Sequence, residues 1–204
     1  LSSLIKVKDL TAISSGAIGI IDDNLSYVME FYDFCLSNSI KPIIGLDILY
    51  DIYHLYLYAK NCDGYLELIK LNNLKRTITL NDLKINNSNL VLVIPYSNIH
   101  LYEELSPLFN DIFISYKTES EKANALIKTD KIVYANLTLC LKEEDKEYLK
   151  YLVAIKKGIL LKELEDTFDN SYLINSDKLT PEDIKTTLEF ADLFDFKLEF
   201  NKRY

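Results

Sequence analysis

The chain has 204 residues, of which 49% are apolar, and its formal net charge is −8. This length and apolar content suffice for one domain with an ordinary core. The acidic balance argues against a surface that grips phosphates nonspecifically, because such binding depends on clustered lysines and arginines. We expect a cytoplasmic protein, since no secretory leader or membrane-spanning run is evident. The three cysteines have no CxxC spacing, which favours free thiols over a disulfide framework.

Short apolar segments alternate with helical patterns along the chain, which is typical of an α/β domain with a mostly parallel sheet. The six predicted strands are Ala17–Asp22, Lys41–Tyr50, Tyr53–Ala59, Leu90–Pro95, Asp111–Tyr116 and Lys131–Leu139.

Four helices are predicted from apolar residues spaced for one helical face. The first has Leu25, Val28, Met29, Tyr32 and Leu36 on that face. Asp63 and Gly64 open the second helix, in which Tyr65, Leu68 and Ile69 point inward, and Glu119 to Thr129 form the third. The fourth begins at Thr180-Pro181-Glu182-Asp183, where threonine can cap the helix, proline fits its first turn and aspartate completes a capping box, and it runs through about Phe194. We predict a single domain over residues 1–204, with 159–176 as its least regular stretch.

Carboxylates lie where two of the predicted strands end or turn. Asp22, Asp23 and Asn24 follow the first strand, and Asp47 lies near the end of the second. Functional groups of α/β sheets collect at the carboxyl ends of strands, and oxygen ligands of this kind suit Mg²⁺ or Mn²⁺. The alternative is that these residues only cap helices and stabilise turns.

Other kinds of site have less support in the sequence. The chain has only two histidines, which we interpret as a strand-facing residue (His54) and a surface or capping residue (His100), so an imidazole-rich metal centre is not predicted. No phosphate-binding glycine loop and no GxSxG elbow are present. Strand alternation puts His54, Tyr56 and Tyr58 on one face of the strand and Tyr53 on the other. This favours a packing role for the tyrosines over a base-stacking platform.

The chain contains, in order, the segments AIGIIDDN, IKPIIGLD, LYAKNCDGY, VYANLTLCL and TLEFADLFDFKLEF, of which IKPIIGLD and LYAKNCDGY are the most specific. In this order they resemble segments of the N-terminal PHP (polymerase and histidinol phosphatase) domain of bacterial replicative DNA polymerase III alpha subunits. The resemblance spans nearly the whole chain. It implies a distorted TIM-like (β/α)7 barrel, in whose active members histidines and carboxylates bind metals for phosphoester hydrolysis or 3′–5′ exonuclease activity.

The chain departs from the family pattern at the implied metal site. The opening HxH strand is missing from this sequence, which starts at a segment similar to the one after that motif. Asp22 matches the family's retained aspartate, Asp23 or Asn24 stands where histidine is expected, and Asp47 matches the glutamate after IIG. Leu137 and Leu139 occupy the approximate positions of an aspartate and a histidine. The resemblance therefore implies a degenerate site at Asp22, Asp23, Asn24 and Asp47, with no catalytic residue, no resident cofactor and at most low-affinity Mg²⁺ or Mn²⁺.

The function that we predict is a structural and interaction module of a bacterial DNA polymerase III alpha subunit. In the parent enzyme, template-directed nucleotidyl transfer would use a downstream palm; the partners would be the rest of that subunit and, through it, replisome proteins and DNA, with no membrane. One alternative is a residually active PHP phosphoesterase or exonuclease that uses Asp22, Asp23 and Asp47. Another is a PHP-derived regulatory binding module outside replication.

Overall fold

A computed structural model describes residues 3–12, 16–84, 87–135, 137–164 and 179–198. Its sheet has the order β1-β2-β3-β4-β5-β6. The strands are β1 Ala17–Asp22, β2 Lys41–Tyr50, β3 Tyr53–Ala59, β4 Leu90–Pro95, β5 Ile112–Tyr116 and β6 Ile132–Tyr134.

Strand polarity follows from the pairing of neighbours. β1 and β2 are parallel, as are β4 with β5 and β5 with β6, whereas β3 is antiparallel to both of its neighbours. A two-residue turn joins β2 to β3, and its first residue, Asp51, has a φ of 54°. Five strands therefore point in one direction, and the mostly parallel sheet is confirmed. The sheet curls into a half-barrel.

The helices within the described ranges pack mainly between and against these strands. They are α1 Val28–Ser37, α2 Cys62–Asn73, α3 Leu80–Leu83, α4 Tyr102–Leu105, α5 Glu119–Leu126, α6 Lys146–Lys157 and α7 Pro181–Asp192. Short 3-10 turns lie at Val7–Ala12, Asn87–Asn89, Tyr96–Leu101, Ser106–Leu108, Glu143–Asp145 and Leu161–Glu163. None of the helices in these ranges is long and apolar enough to cross a membrane.

The two faces of the sheet carry separate apolar clusters. Ile44, Leu46 and Leu57 belong to the larger cluster, which the helices α1 and α2 cover. Ile43 and Val93 alternate onto the opposite face, where Phe190 and Phe194 of the α7 region cover them. We call these the α1 face and the α7 face. Alternation confirms that Tyr56 and Tyr58 lie on the α7 face, while Tyr53 packs with the α1 face.

Two of the sequence-based predictions need correction. The strand predicted to run to Leu139 ends at Tyr134, because β5, its only neighbour in the described sheet, ends at the paired residue Tyr116. The first helix begins at Val28 and buries Val28, Phe31, Tyr32 and Cys35, whereas Met29 and Leu36 are exposed. The capping box at Thr180 and Asp183 is confirmed. The irregular stretch 159–176 lies outside the described residues from position 165 onwards.

Candidate functional site

The carboxyl ends of β1 and β2 lie at the same rim of the sheet because the two strands are parallel. Asp22 of β1 pairs with Leu46 of β2, which is the residue before Asp47. Asp22 and Asp47 are therefore one register position apart on neighbouring strands. The antiparallel strand β3 begins at this rim and brings His54 there. We call Asp22, Asp23, Asn24, Asp47 and His54 the rim cluster.

The first three members of the rim cluster bond mainly to each other. The backbone N–H of Asp23 donates to Oδ1 of Asp22 at 2.8 Å, and Nδ2 of Asn24 donates to Oδ1 of Asp23 at 2.8 Å. Oδ1 of Asn24 accepts from the backbone N–H of Ser26, as in an Asx turn. The three side chains thus make the turn that leads from β1 to α1, which is the alternative that the sequence left open for them.

The ionisation of the two aspartates is pushed in opposite directions. Partial burial raises the pKa of Asp22, even though the N–H of Asp23 stabilises its charged form. The hydrogen bond from Asn24 lowers the pKa of Asp23, and the positive charge of Lys156 in α6 acts in the same direction. Lys156 is separated from Asp23 by most of the chain, so nothing in the local sequence indicated that it contributes.

Asp47 is the most enclosed carboxylate of the rim cluster, with a side chain only 5% exposed. Its Oδ1 lies 2.8 Å from Nδ1 of His54, whose side chain is 63% exposed. Burial raises the pKa of Asp47, the bond to His54 opposes that rise, and the charge of Asp23 adds to it. The pair therefore presents an imidazole to solvent on a buried carboxylate.

Sequence reasoning assigned His54 only a place on the strand and missed its partner. The signal was available in the hairpin: if Tyr50 pairs with Tyr53, then Asp47 lies opposite Tyr56 and diagonal to His54 on the same face. His100, by contrast, is exposed and stacks edge-on against Tyr53, with ring centroids 4.8 Å apart. That surface position agrees with the sequence interpretation.

The sheet places Asp22 and Asp47 on different faces although their strand ends share a rim. Asp22 lies on the same face of β1 as Ile18 and Ile20, which pack with the α1 face. Asp47 follows Ile43 on the α7 face, beside Tyr56. Burial and the charge of Asp47 raise the pKa of Tyr56 to about 12, so this hydroxyl is neutral near pH 7.

Gly45 of β2, two residues before Asp47, leaves room for the ring of Tyr58. A Cβ on Gly45 would lie 2.7 Å from Cε1 of Tyr58 and 3.0 Å from the backbone oxygen of Ile20. The Tyr58 ring is held from the other side by Phe190, at a centroid distance of 5.6 Å. It has little freedom to move away.

Replacing Gly45 by alanine is therefore expected to lower the free energy of unfolding by about 1–3 kcal/mol, the usual cost of overpacking. Gly19 on β1 is the matched control, because a Cβ there would come no closer than 3.9 Å to another atom. Urea melts of Gly45→Ala and Gly19→Ala measure the difference. Equal midpoints would mean that Tyr58 moves aside without cost.

The comparison with known families decides what kind of domain carries this rim. The sequence profile of the PHP domain matches residues 6–159, which is most of the chain and includes every member of the rim cluster. The chain belongs to the PHP domain family.

Relatives of this PHP domain include DNA polymerase III alpha subunits from several bacteria. The DNA polymerase III subunit alpha of Ureaplasma parvum serovar 3 is 30% identical over 155 residues, covering 75% of this chain and 14% of the relative. The same subunit of Staphylococcus aureus strain COL is 26% identical over 208 residues, covering 90% and 19%. That of Halalkalibacterium halodurans is 24% identical over 249 residues, covering 99% and 22%. The chain thus spans less than a quarter of the length of these relatives.

Over the described residues, no three histidine, cysteine, aspartate or glutamate side chains are grouped so that they could hold a metal ion. Asp22 and Asp47, two of the acids predicted from the sequence, lie on different faces of the sheet. The metal role of Asp22, Asp23, Asn24 and Asp47 stays a prediction.

The two leucines of the NLTLCL segment lie in an apolar environment. Leu139 is 7% exposed and packs with Cys140 and Leu149 in a small cluster, against which Leu4 and the half-buried Leu137 are packed. The backbone oxygen of Leu139 accepts a 2.8 Å bond from the N–H of Leu4. The N-terminal segment of the PHP domain is therefore fastened to this position.

Proposed function

We propose that this PHP domain is a structural and interaction module in the N-terminal part of a bacterial DNA polymerase III alpha subunit, and that its metal site is inactive. In this proposal the half-barrel belongs to a distorted (β/α)7 barrel, and the rest of the subunit carries out template-directed DNA synthesis. Replisome proteins and DNA are partners of the parent chain and meet this domain only through it.

The observation that carries the inactive-site proposal is that the described residues form no group of three side chains able to hold a metal ion. Asp47 is bonded to His54, and Asp22 is bonded to the amide of Asp23. Each carboxylate keeps an oxygen that could bind a divalent cation, but over the described residues no three potential ligands are grouped to hold one, and Leu137 and Leu139 offer only hydrocarbon. No catalytic step is therefore assigned to any residue of this chain.

The polymerase assignment is supported by the extent of the similarity to the alpha subunits. Matches to these subunits cover between 75% and 99% of this chain in the three relatives described above. A chain from an unrelated PHP enzyme would share the barrel but would have less reason to match one kind of polymerase along almost its whole length. The natural open reading frame tests the assignment: a long continuation that encodes a polymerase palm supports it, and a stop soon after Tyr204 would favour the regulatory binding module.

A second candidate is a residual metal-dependent phosphoesterase or 3′–5′ exonuclease. The observation in its favour is the His54–Asp47 pair, because a carboxylate that orients an exposed imidazole is a common part of hydrolytic sites. Mg²⁺ or Mn²⁺ would be its cofactor. In this second candidate Asp23 and Asp22 would supply the remaining oxygens.

We expect the protein to bind Mn²⁺ and Zn²⁺ only weakly and to hydrolyse neither phosphomonoesters nor DNA 3′ ends. The reason is the shortage of imidazole ligands and, over the described residues, the lack of three side chains grouped to hold a metal ion. Calorimetry with each metal, alongside a nuclease assay on 3′-labelled DNA, measures both properties.

Asp47→Asn is the control variant, since it keeps an acceptor for His54 but removes a charged ligand. Micromolar binding together with metal-dependent turnover, both lost in Asp47→Asn, would establish the residual enzyme in place of the inactive module. Turnover that persists unchanged in the variant would point to a contaminating nuclease.

A further inference from the structure

No further inference is drawn: the strongest candidate, the outer edge of β1 at one end of the described sheet, where Gly19 is exposed, has the geometry to pair with an additional strand, but nothing in the structure shows what covers it, and its closure by a neighbouring strand restates the barrel of the PHP family.

Discussion

Replacing Asp183 by asparagine is expected to lower the free energy of unfolding by about 3–5 kcal/mol, which is the usual result of removing one partner of a buried ion pair. Asp183 lies at the start of α7 and is 4% exposed. Its Oδ1 accepts a 2.8 Å bond from Nζ of Lys122, which is itself 5% exposed, and a bond from the hydroxyl of Tyr116. Asparagine would leave the lysine charge buried without a carboxylate at this position.

The position of the pair explains why the loss would spread through the domain. Lys122 belongs to α5 and Tyr116 ends β5, so Asp183 fastens the first turn of α7 to both. Oδ2 of Asp183 also accepts from the N–H of Thr180, which completes the capping box. Further along α7, Phe190 covers the α7 face of the sheet.

The control for this prediction is the neighbouring carboxylate. Glu182 also bonds to Nζ of Lys122, at 2.9 Å, but its side chain is 67% exposed. Glu182→Gln should therefore cost no more than about 1 kcal/mol, as exposed ion pairs do. Thermal melts at pH 7 compare the two variants: since 1 kcal/mol shifts the melting temperature of a domain of this size by about 2–4 °C, Asp183→Asn should lower it by roughly 6–20 °C. If the two variants lowered the melting temperature equally, the exposed pair with Glu182 would stabilise the fold as much as the buried pair with Asp183.

The difference in the free energy of unfolding between wild type and Asp183→Asn should also depend on pH. Burial raises the pKa of Asp183, but bonds from Lys122, Tyr116 and Thr180 outweigh burial, so the pKa lies well below the ordinary value of 3.8. A depressed pKa stabilises the fold above the unfolded-state value, and that stability is lost as the pH falls towards the folded-state value. Urea melts should therefore show the full difference at pH 7 and a smaller one below about pH 4.

Local sequence patterns predicted most of the sheet. Four strands begin and end where alternation and apolar runs placed them, because a half-buried strand imposes its period on the sequence. The prediction was wrong for β6, in which the apolar pattern continues to Leu139. Leu137 and Leu139 are apolar because they pack in a small cluster with Leu4 and Leu149, and a pattern of hydrophobic residues does not reveal which neighbour buries them.

The candidate site was less accessible to sequence reasoning because its contacts are long-range. The pattern placed Asp22, Asp23, Asn24 and Asp47 at strand ends, and parallel pairing brings those ends to one rim. The partners of these acids were missed: His54 is reached only through the hairpin register, and Lys156 only through the fold. In the first helix Leu25, Val28 and Tyr32 pack with the larger cluster as predicted. Met29 and Leu36 are exposed, and Phe31 and Cys35 are buried instead.

Introducing histidine at Leu139 is expected to destabilise the domain by about 1–3 kcal/mol for the buried polar group, beyond any loss of packing, and to restore no activity. Related domains have an aspartate and a histidine at the approximate positions of Leu137 and Leu139, so the family resemblance suggests that Leu137→Asp and Leu139→His would restore two metal ligands. The environment argues otherwise, since Leu139 packs with Cys140 and Leu149, both of which are 0% exposed.

Leu137→Asp should also destabilise the domain, but less, because Leu137 is only half-buried. Leu126→His, at a position 47% exposed, is the control and should leave the melting temperature nearly unchanged. Melts with and without Mn²⁺ separate the two interpretations. If Leu139→His melts like wild type, or is stabilised by the metal, then position 139 faces a functional cavity and the apolar cluster does not determine its chemistry.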